Sequence, residues 1–178
     1  MVLIRPSTPD DLAAIARIYG WNVANGSGTF ELEAPTLDDM ERRRADVLAK
    51  GLPWLVAEVD GAVAGYAYAG PFRPRPAYRF TVEDSVYLAP QATGRGLGRL
   101  LLAELLARCE AAGARQMLAV IGDSANAASI GVHRALGFEP SGTLSSVGWK
   151  FGRWLDVVLM QKRLGPGADT LAEASDAA

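Results

Sequence analysis

Between Val82 and Leu102 the chain reads Val-Glu-Asp-Ser-Val-Tyr-Leu-Ala-Pro-Gln-Ala-Thr-Gly-Arg-Gly-Leu-Gly-Arg-Leu-Leu-Leu. A strand opens this stretch, crosses a turn at Ala89-Pro90, becomes a glycine-studded loop and passes directly into an apolar-striped helix. Gly94, Gly96 and Gly98 alternate, so the backbone can come close to a ligand and turn successive N–H groups toward it. The following helix aims its unpaired N-terminal N–H groups and the positive end of its dipole at the same place. That combination suits a phosphate-bearing ligand.

The spacing separates kinds of phosphate loop. A nucleoside-triphosphate loop needs Gly-x-x-x-x-Gly-Lys-Ser/Thr, and the chain contains no Gly-Lys pair. A dinucleotide fingerprint needs Gly-x-Gly-x-x-Gly, and here the third glycine falls one position early. What remains is Gln91-x-x-Gly94-x-Gly96, which by itself is also compatible with an ordinary glycine-rich turn.

Around this unit strand and helix signals alternate. Val2 to Arg5 reads as a strand. Thr8-Pro9-Asp10-Asp11 then starts a helix, with Thr8 as N-cap, Pro9 in the first turn and Asp11 bonding back. Leu12, Ile15, Ala16 and Tyr19 recur at helical spacing. Asn22 to Pro35 is polar and irregular, and Thr36-Leu37-Asp38-Asp39 repeats the capping signal for a helix reaching about Lys50. Trp54 to Val59 and Ala62 to Gly70 form strands joined by the hairpin pair Asp60-Gly61. Pro71 to Tyr78 is a stiff basic loop, because its prolines exclude a regular ladder. Arg79 to Leu88 is the central strand, and the helix after it ends near Gly113. Met117 to Ile121 is a buried strand, Asn126 to Leu136 a short helix closed by Gly137, and Gly142 to Lys150 with Arg153 to Lys162 a final antiparallel pair. The order implies one α/β domain over residues 1–164, with a mixed, mostly antiparallel sheet and helices on both faces. A ligand would enter where neighbouring strands diverge at the end of the central strand. The tail from Gly165 is small and acidic and is expected to be disordered.

Composition excludes more than it selects. The 178 residues are 49% hydrophobic, enough for one ordinary core. A net charge of −2 gives no nucleic-acid footprint. One cysteine and one histidine rule out a disulfide framework and a histidine or thiolate metal cluster, so no metal is expected. No apolar run approaches a membrane span and Arg5 interrupts any secretory leader, so a soluble cytoplasmic protein is the expectation.

Several side chains could carry chemistry. Strand alternation puts Glu83 and Asp84 on opposite faces, so they do not share a proton. Either both are ordinary sheet-edge charges, or one faces a polar cleft, since burying an unpaired carboxylate costs several kcal/mol. His133, alone on its helix, is either a hydrogen-bonded structural residue or a proton donor or relay near neutral pH. Arg73 and Arg75 alternate with prolines, forming either a solvated basic loop or a fixed fork for a carboxylate or phosphoryl group. Trp149, Lys150 and Trp154 either simply cover one edge of the sheet or form part of a functional surface. Cys109 lies mid-helix in an apolar stripe and is discounted as a nucleophile.

These residues carry a family resemblance. The loop Gln91-x-x-Gly94-x-Gly96 looks like the pyrophosphate loop of GNAT acetyltransferases, and Asn126-x-x-Ser129 through Leu136-Gly137-Phe138 looks like their later signature. More narrowly, the chain resembles the phosphinothricin and methionine sulfoximine N-acetyltransferases. It does so in Thr29-Phe30-Glu31, Phe72-Arg73-x-Arg75-x-Ala77-Tyr78, Thr81-Val82-Glu83-x-Ser85-Val86-Tyr87, Ala119-Val120-Ile121-Gly122, His133-x-x-Leu136-Gly137-Phe138 and Val147-Gly148-x-Lys150-Phe151-Gly152-Arg153-Trp154-x-Asp156-Val157. The quoted pieces occur in order between Thr29 and Val157, and the resemblance spreads from about residue 3 to residue 164.

The resemblance implies roles. Acetyl-CoA would be co-substrate, its pantetheine arm pairing along Val86, Tyr87 and Leu88. Its pyrophosphate would be held by Gly94, Arg95, Gly96, Leu97, Gly98 and Arg99, with Asn126 and Ser129 beside it. Glu83 would be the general base. His133 stands where many GNAT enzymes carry a tyrosine that protonates the departing thiolate. Thr29, Phe30, Glu31, Arg73, Arg75, Tyr78 and Lys150 would bind the amino-acid substrate, with the two arginines on its acidic end. A homodimer is implied, with the substrate pockets near its interface. Two departures bear on which side chain the pocket accepts. Gly131-Val132 is smaller than the family's bulky pair and weakens its helix by up to ~1 kcal/mol, and Pro74 and Pro76 flank Arg75. The expected activity is acetyl transfer to the α-amine of phosphinothricin, methionine sulfoximine or methionine sulfone. The alternatives are another amine, antibiotic or peptide N-terminus as acceptor, or an acyl-CoA-binding module without turnover.

Overall fold

The computed structural model describes residues 1–172. In chain order its elements are β1 (Val2–Pro6), α1 (Leu12–Asn25), α2 (Leu37–Ala49), β2 (Trp54–Val59), β3 (Ala62–Pro71), β4 (Thr81–Leu88), α3 (Leu97–Ala111), β5 (Gln116–Gly122), α4 (Ala127–Ala135), β6 (Glu139–Lys150) and β7 (Arg153–Arg163). The strands form one seven-stranded sheet in the order β1-β2-β3-β4-β5-β7-β6. Every neighbouring pair is antiparallel except β4 and β5, which are parallel.

Local signals place most boundaries. Before α1, Asp11 Oδ2 accepts from the Thr8 backbone N–H at 2.7 Å, and the same carboxylate takes a bidentate pair of bonds from Arg5 at 2.7 and 2.8 Å. At α2 the capping box closes in both directions: Thr36 Oγ1 accepts from Asp39 N–H at 3.1 Å and Asp39 Oδ2 from Thr36 N–H at 3.0 Å. Asp60 and Gly61 sit at φ +50° and +82°, the left-handed pair that a two-residue hairpin requires. Gly137, at φ +84°, ends α4.

Strand alternation divides the core between the two faces. Trp54, Val56 and Tyr66 pack against Leu12, Ile15, Ile18 and Tyr19 of α1 and Met40 of α2. Leu55, Ala57, Ala67 and Val82, one residue out of phase, pack against Leu101, Leu102, Leu105 and Cys109 of α3. The small residues Ala57, Ala67 and Ala69 let α3 lie close to the sheet.

Some expectations shift. The stiff loop contains a short 3₁₀ turn at Pro76–Tyr78, so β4 starts at Thr81 rather than Arg79. β6 begins at Glu139 rather than Gly142, and irregularities after Pro140 and after Leu144 account for the difficulty of reading its alternation. The disorder expected from Gly165 onward does not describe the tail's first residues. Gly167 N–H donates to Leu164 O at 2.9 Å, Arg115 Nη1 donates to Gly167 O and Thr170 Oγ1 at 3.2 and 2.9 Å, and Arg163 pairs with Asp169. Glycine and proline there make turns that two arginines hold. Residues 173–178 lie outside the described part.

Candidate active site

The central parallel pair is short. Only Thr81, Val82 and Glu83 pair with Gln116, Met117 and Leu118. Beyond Glu83 each strand keeps its outer neighbour, β4 on β3 as far as Leu88 and β5 on β7 as far as Gly122. The facing edges therefore separate, and the strand N–H and C=O groups that point inward have no ladder partner across the gap. A cleft of about 530 Å³ occupies this wedge. Its walls are Glu83 to Leu88, Ala119 to Asp123, Asn126 at the start of α4 with Ser129 and His133 within it, and Trp21, Asn22 and Asn25 to Gly28 from the end of α1 and the loop after it.

The glycine loop borders the wedge at Thr93. Gly94 and Gly96 take φ +71° and +78°, and a Cβ built at either would meet no heavy atom within 4 Å, so the loop's outer face is open to a ligand. Gly96 is the N-cap of α3, whose first amides point out at the same rim. Gly98 differs: it lies where α3 leans on β4, and a Cβ there would make ordinary contact with Leu88 Cδ1 at 3.7 Å. This is a shape into which a diphosphate fits, with positive partial charge and no side chain in the way.

Two carboxylates stand where the strands part, on opposite faces. Glu83 is half-buried on the α1/α2 face. Burial pushes its carboxyl above the usual glutamate range, the neighbouring Asp84 charge adds to this, and the positive charge of Arg73 opposes it. Asp84 points to the α3/α4 face and is buried against His133, Oδ2 to Nε2 2.9 Å. The other ring nitrogen, Nδ1, donates to the Ser129 carbonyl at 2.7 Å. Burial by itself would lower the His133 pKa, but the Asp84 hydrogen bond and charge, helped by the Ser129 carbonyl, hold it above the ordinary histidine value.

Residues 15–138 match the acetyltransferase (GNAT) family. The chain is 55% identical over 170 residues to a phosphinothricin N-acetyltransferase of Alcaligenes faecalis, covering 96% of this chain and 86% of that one. The chain belongs to the GNAT acetyltransferase family. It is also 46% identical over 167 residues to an L-methionine sulfoximine/L-methionine sulfone acetyltransferase of Pseudomonas aeruginosa, covering 92% of this chain and 95% of that one. A phosphinothricin acetyltransferase from Sinorhizobium meliloti, solved with acetyl-CoA, superimposes with a TM-score of 0.95 at 47% identity, over 98% of this chain and 94% of that one. The mixed α/β sheet with helices on both faces is the fold of these enzymes, and this chain is an acetyltransferase.

In this acetyltransferase the sequence-selected residues fall into separate groups. Val86, Tyr87 and Leu88 line the wedge, as do Asn126 and Ser129. Asn126 Oδ1 caps α4 by accepting from Ser129 N–H at 3.2 Å. Arg73 stacks on Phe72, its guanidinium carbon 5.1 Å from the ring centre, close enough for its charge to act on Glu83. Tyr78 meets the same Phe72 ring edge-on at 5.6 Å, and Arg75 is exposed ahead of it. Thr29, Phe30 and Glu31 lie behind the cleft wall formed by Gly26, Ser27 and Gly28. Thr29 Oγ1 is 2.9 Å from the Tyr19 hydroxyl, and Glu31 pairs with Arg43 at 2.7 Å. Lys150 is buried beneath that loop, where Nζ donates to Gly26 O at 2.9 Å and to Thr29 O at 2.8 Å. Burial lowers its pKa.

Two groups of residues escaped sequence reasoning. The Asp84–His133 pair is one; its signals were Asp84 sharing strand parity with Val82 and Val86, and Ser129 and His133 standing four apart on a helix. The other is Trp21, Asn22 and Asn25, which end the apolar stripe of α1 with a polar turn at the cleft. Asn22 Nδ2 donates to Leu88 O at 3.1 Å and so pins α1 to the end of β4. Among the described residues no cluster of three or more histidine, cysteine, aspartate or glutamate side chains is arranged to hold a metal, and no helix is long and apolar enough to cross a membrane.

Proposed function

We propose that the enzyme moves the acetyl group of acetyl-CoA to the α-amine of an amino acid such as phosphinothricin, methionine sulfoximine or methionine sulfone, with Glu83 as general base. The observation that carries this reading is the position of Glu83. It is the last β4 residue paired to β5, it stands where the wedge opens, and it lies beside Arg73 on the face away from α3 and α4. Two relatives whose names state these substrates are aligned over more than nine-tenths of the chain.

The coenzyme's diphosphate rests on the loop from Gly94 to Arg99, its pantetheine arm runs along the free edge of Val86 to Leu88, and Asn126 and Ser129 face it across the wedge. This brings the thioester to the level of Glu83. The substrate ammonium gives a proton to Glu83, directly or through water, and a carboxylate with a raised pKa is better matched to that transfer. The amine lone pair then attacks the thioester carbonyl, whose developing negative charge meets N–H groups of the splayed strand. The C–S bond breaks with its electron pair on sulfur, and no covalent enzyme intermediate is needed. Cys109 plays no part, since burial between α3 and the sheet pushes its thiol up to about 12. Arg73, with Arg75, takes the acidic or tetrahedral end of the substrate.

A homodimer joined through the β6–β7 hairpin completes the reading. The β6–β7 hairpin exposes Leu144, Val147, Trp149, Phe151 and Trp154, and Trp149 and Trp154 are 56% and 61% exposed. Light scattering of the purified protein tests this, and a monomer at working concentration removes it. On this reading the enzyme works in the cytoplasm with its co-substrate, where acetylating such amino acids would confer resistance to them. Thiol release from acetyl-CoA against a panel of amino acids tests the function. Turnover with methionine sulfone or phosphinothricin supports it, turnover confined to other amines replaces the acceptor, and binding without turnover makes the chain an acyl-CoA-binding module.

A further inference from the structure

His133 is the chain's single histidine, and each of its ring nitrogens faces an oxygen. The Ser129 carbonyl 2.7 Å from Nδ1 has no proton to give, so Nδ1 must carry one. The 2.9 Å bond between Nε2 and Asp84 Oδ2 then needs a second proton, on one atom or the other. The pair therefore holds one proton more than a neutral imidazole beside a carboxylate. The two side chains are 6% and 3% exposed, so water competes little for it. Asp84 Oδ1 is buried without a hydrogen-bond partner among the described residues, which leaves the carboxylate's charge compensated chiefly by the ring. The ring also lies in the last turn of α4, where the helix dipole favours a cation. Asp84, Ser129 and His133 all line the wedge.

We propose that Asp84 is a positioning residue that keeps His133 doubly protonated, so that the pair stores the proton taken up by the departing coenzyme sulfur. This rests on the acetyl-transfer reading above. As the C–N bond forms and the C–S bond breaks, sulfur leaves with the bonding electrons and takes the stored proton. A neutral Nε2 lone pair then faces the Asp84 carboxylate, a repulsive contact that draws a proton back. Over one cycle the substrate ammonium surrenders two protons. One restores the pair and one goes to solvent by way of Glu83, leaving amide, free thiol and one released proton.

Few other charges bear on the ring. On β4, Glu83 points to the opposite face; on α3, Cys109 is the titratable group near Asp84; on α4, Arg134 is exposed; the buried β5 residues Ala119 and Ile121 carry no charge. Asp84 is thus the partner that sets the ring's protonation.

A single histidine makes the test direct, because one ring C–H resonance reports one titration. In the wild type that resonance should titrate above the ordinary histidine value. In Asp84→Asn the amide can donate to Nε2 but cannot hold a second proton there. The titration should then move down by about 1–3 pH units, the effect of an opposite charge in contact. The alkaline limb of kcat should move with it, while KM for acetyl-CoA stays unchanged. A wild-type ring titrating at or below the ordinary value would overturn the proposal, and this reading needs no variant to fold. A shifted ring with an unmoved kcat profile would overturn it too, reducing the pair to a tie between β4 and α4. If the wild type turned over no amine, the transfer reading and the proton store would both fall. The titration, which needs no substrate, shows whether the pair itself was misread.

Discussion

Glutamine at position 83 keeps the volume of the side chain and much of its hydrogen bonding, and removes its capacity to take a proton. Glu83 stands on the face opposite the Asp84–His133 contact, so Glu83→Gln should leave the glycine-loop rim, the α4 wall and the Asp84–His133 hydrogen bond in place. A positioned general base contributes about 10²–10⁴ in rate. The expected fall in kcat is therefore at least about a hundredfold, or ~3 kcal/mol of transition-state stabilisation, with KM for acetyl-CoA unchanged. Burial, together with the Asp84 charge and against Arg73, raises the folded-state pKa of Glu83 above its ordinary 4.5, so the wild-type acid limb should lie above that value and vanish in the variant. Stability should change in the opposite sense. A carboxyl that holds its proton more tightly when folded destabilises the fold once it ionises, and the penalty disappears as pH falls below the unfolded value. Glu83→Gln should therefore melt higher than wild type at neutral pH and lose that advantage in acid. Initial rates of thiol release across pH, with thermal melts on the same samples, provide the assay. A kcat loss below about tenfold, or an acid limb that survives the substitution, would refute the assignment.

Other substitutions separate scaffold from chemistry. Lys150→Met should strip the Gly26 and Thr29 carbonyls of their buried donor, lower stability by about 1–3 kcal/mol and raise KM through the loosened cleft wall; an unchanged Tm would show that the loop holds without the ammonium. Gly96→Ala forces a side chain into φ +78°, costing about 1–2 kcal/mol, and should raise KM for acetyl-CoA far more than it lowers kcat in the same thiol assay. Arg5 holds Asp11 down at about 2, so this ion pair should stabilise the fold fully above the ordinary 3.8 and lose its contribution as pH falls through about 2. Acid melts of Asp11→Asn should lack that dependence.

The fold was legible where chemistry is local. Thr36 with Asp39 announced α2, and the residue pair Asp60-Gly61 announced the hairpin, because each condition is met within a few residues. The glycine loop was legible for the same reason, its positive-φ positions Gly94 and Gly96 being adjacent to the helix they cap. Parity placed Glu83 and Asp84 on opposite faces but could not show what faced Asp84, since His133 lies 49 residues away. For Lys150 the resemblance implied a substrate contact and the local sequence an edge of the sheet; neither showed its partners, which are carbonyls 121 and 124 residues earlier. Contacts at such separations depend on the register of β6 on β7, and the irregularities in β6 hide that register from its sequence alternation.

Gly122 and Gly148 explain why a parallel pair opens after three rungs. Neither takes a positive φ, so the backbone does not demand glycine at either position. Space does. A Cβ on Gly122 would overlap the Ser27 carbonyl oxygen and the Phe30 ring, and one on Gly148 would overlap the same ring. The loop after α1 is thus seated on the end of β5 and on β6, with Lys150 drawing its carbonyls down from below. Its residues Gly26 to Gly28 fill the far end of the gap that β4 and β5 would otherwise close by pairing. Asn22, at the end of the helix that leads into this loop, fastens the tip of β4 from the other side. The wedge is therefore a held-open interval rather than a failure of the sheet. Holding it open leaves strand amides free for a ligand, and puts Glu83 on one face and Asp84 on the other where the opening begins.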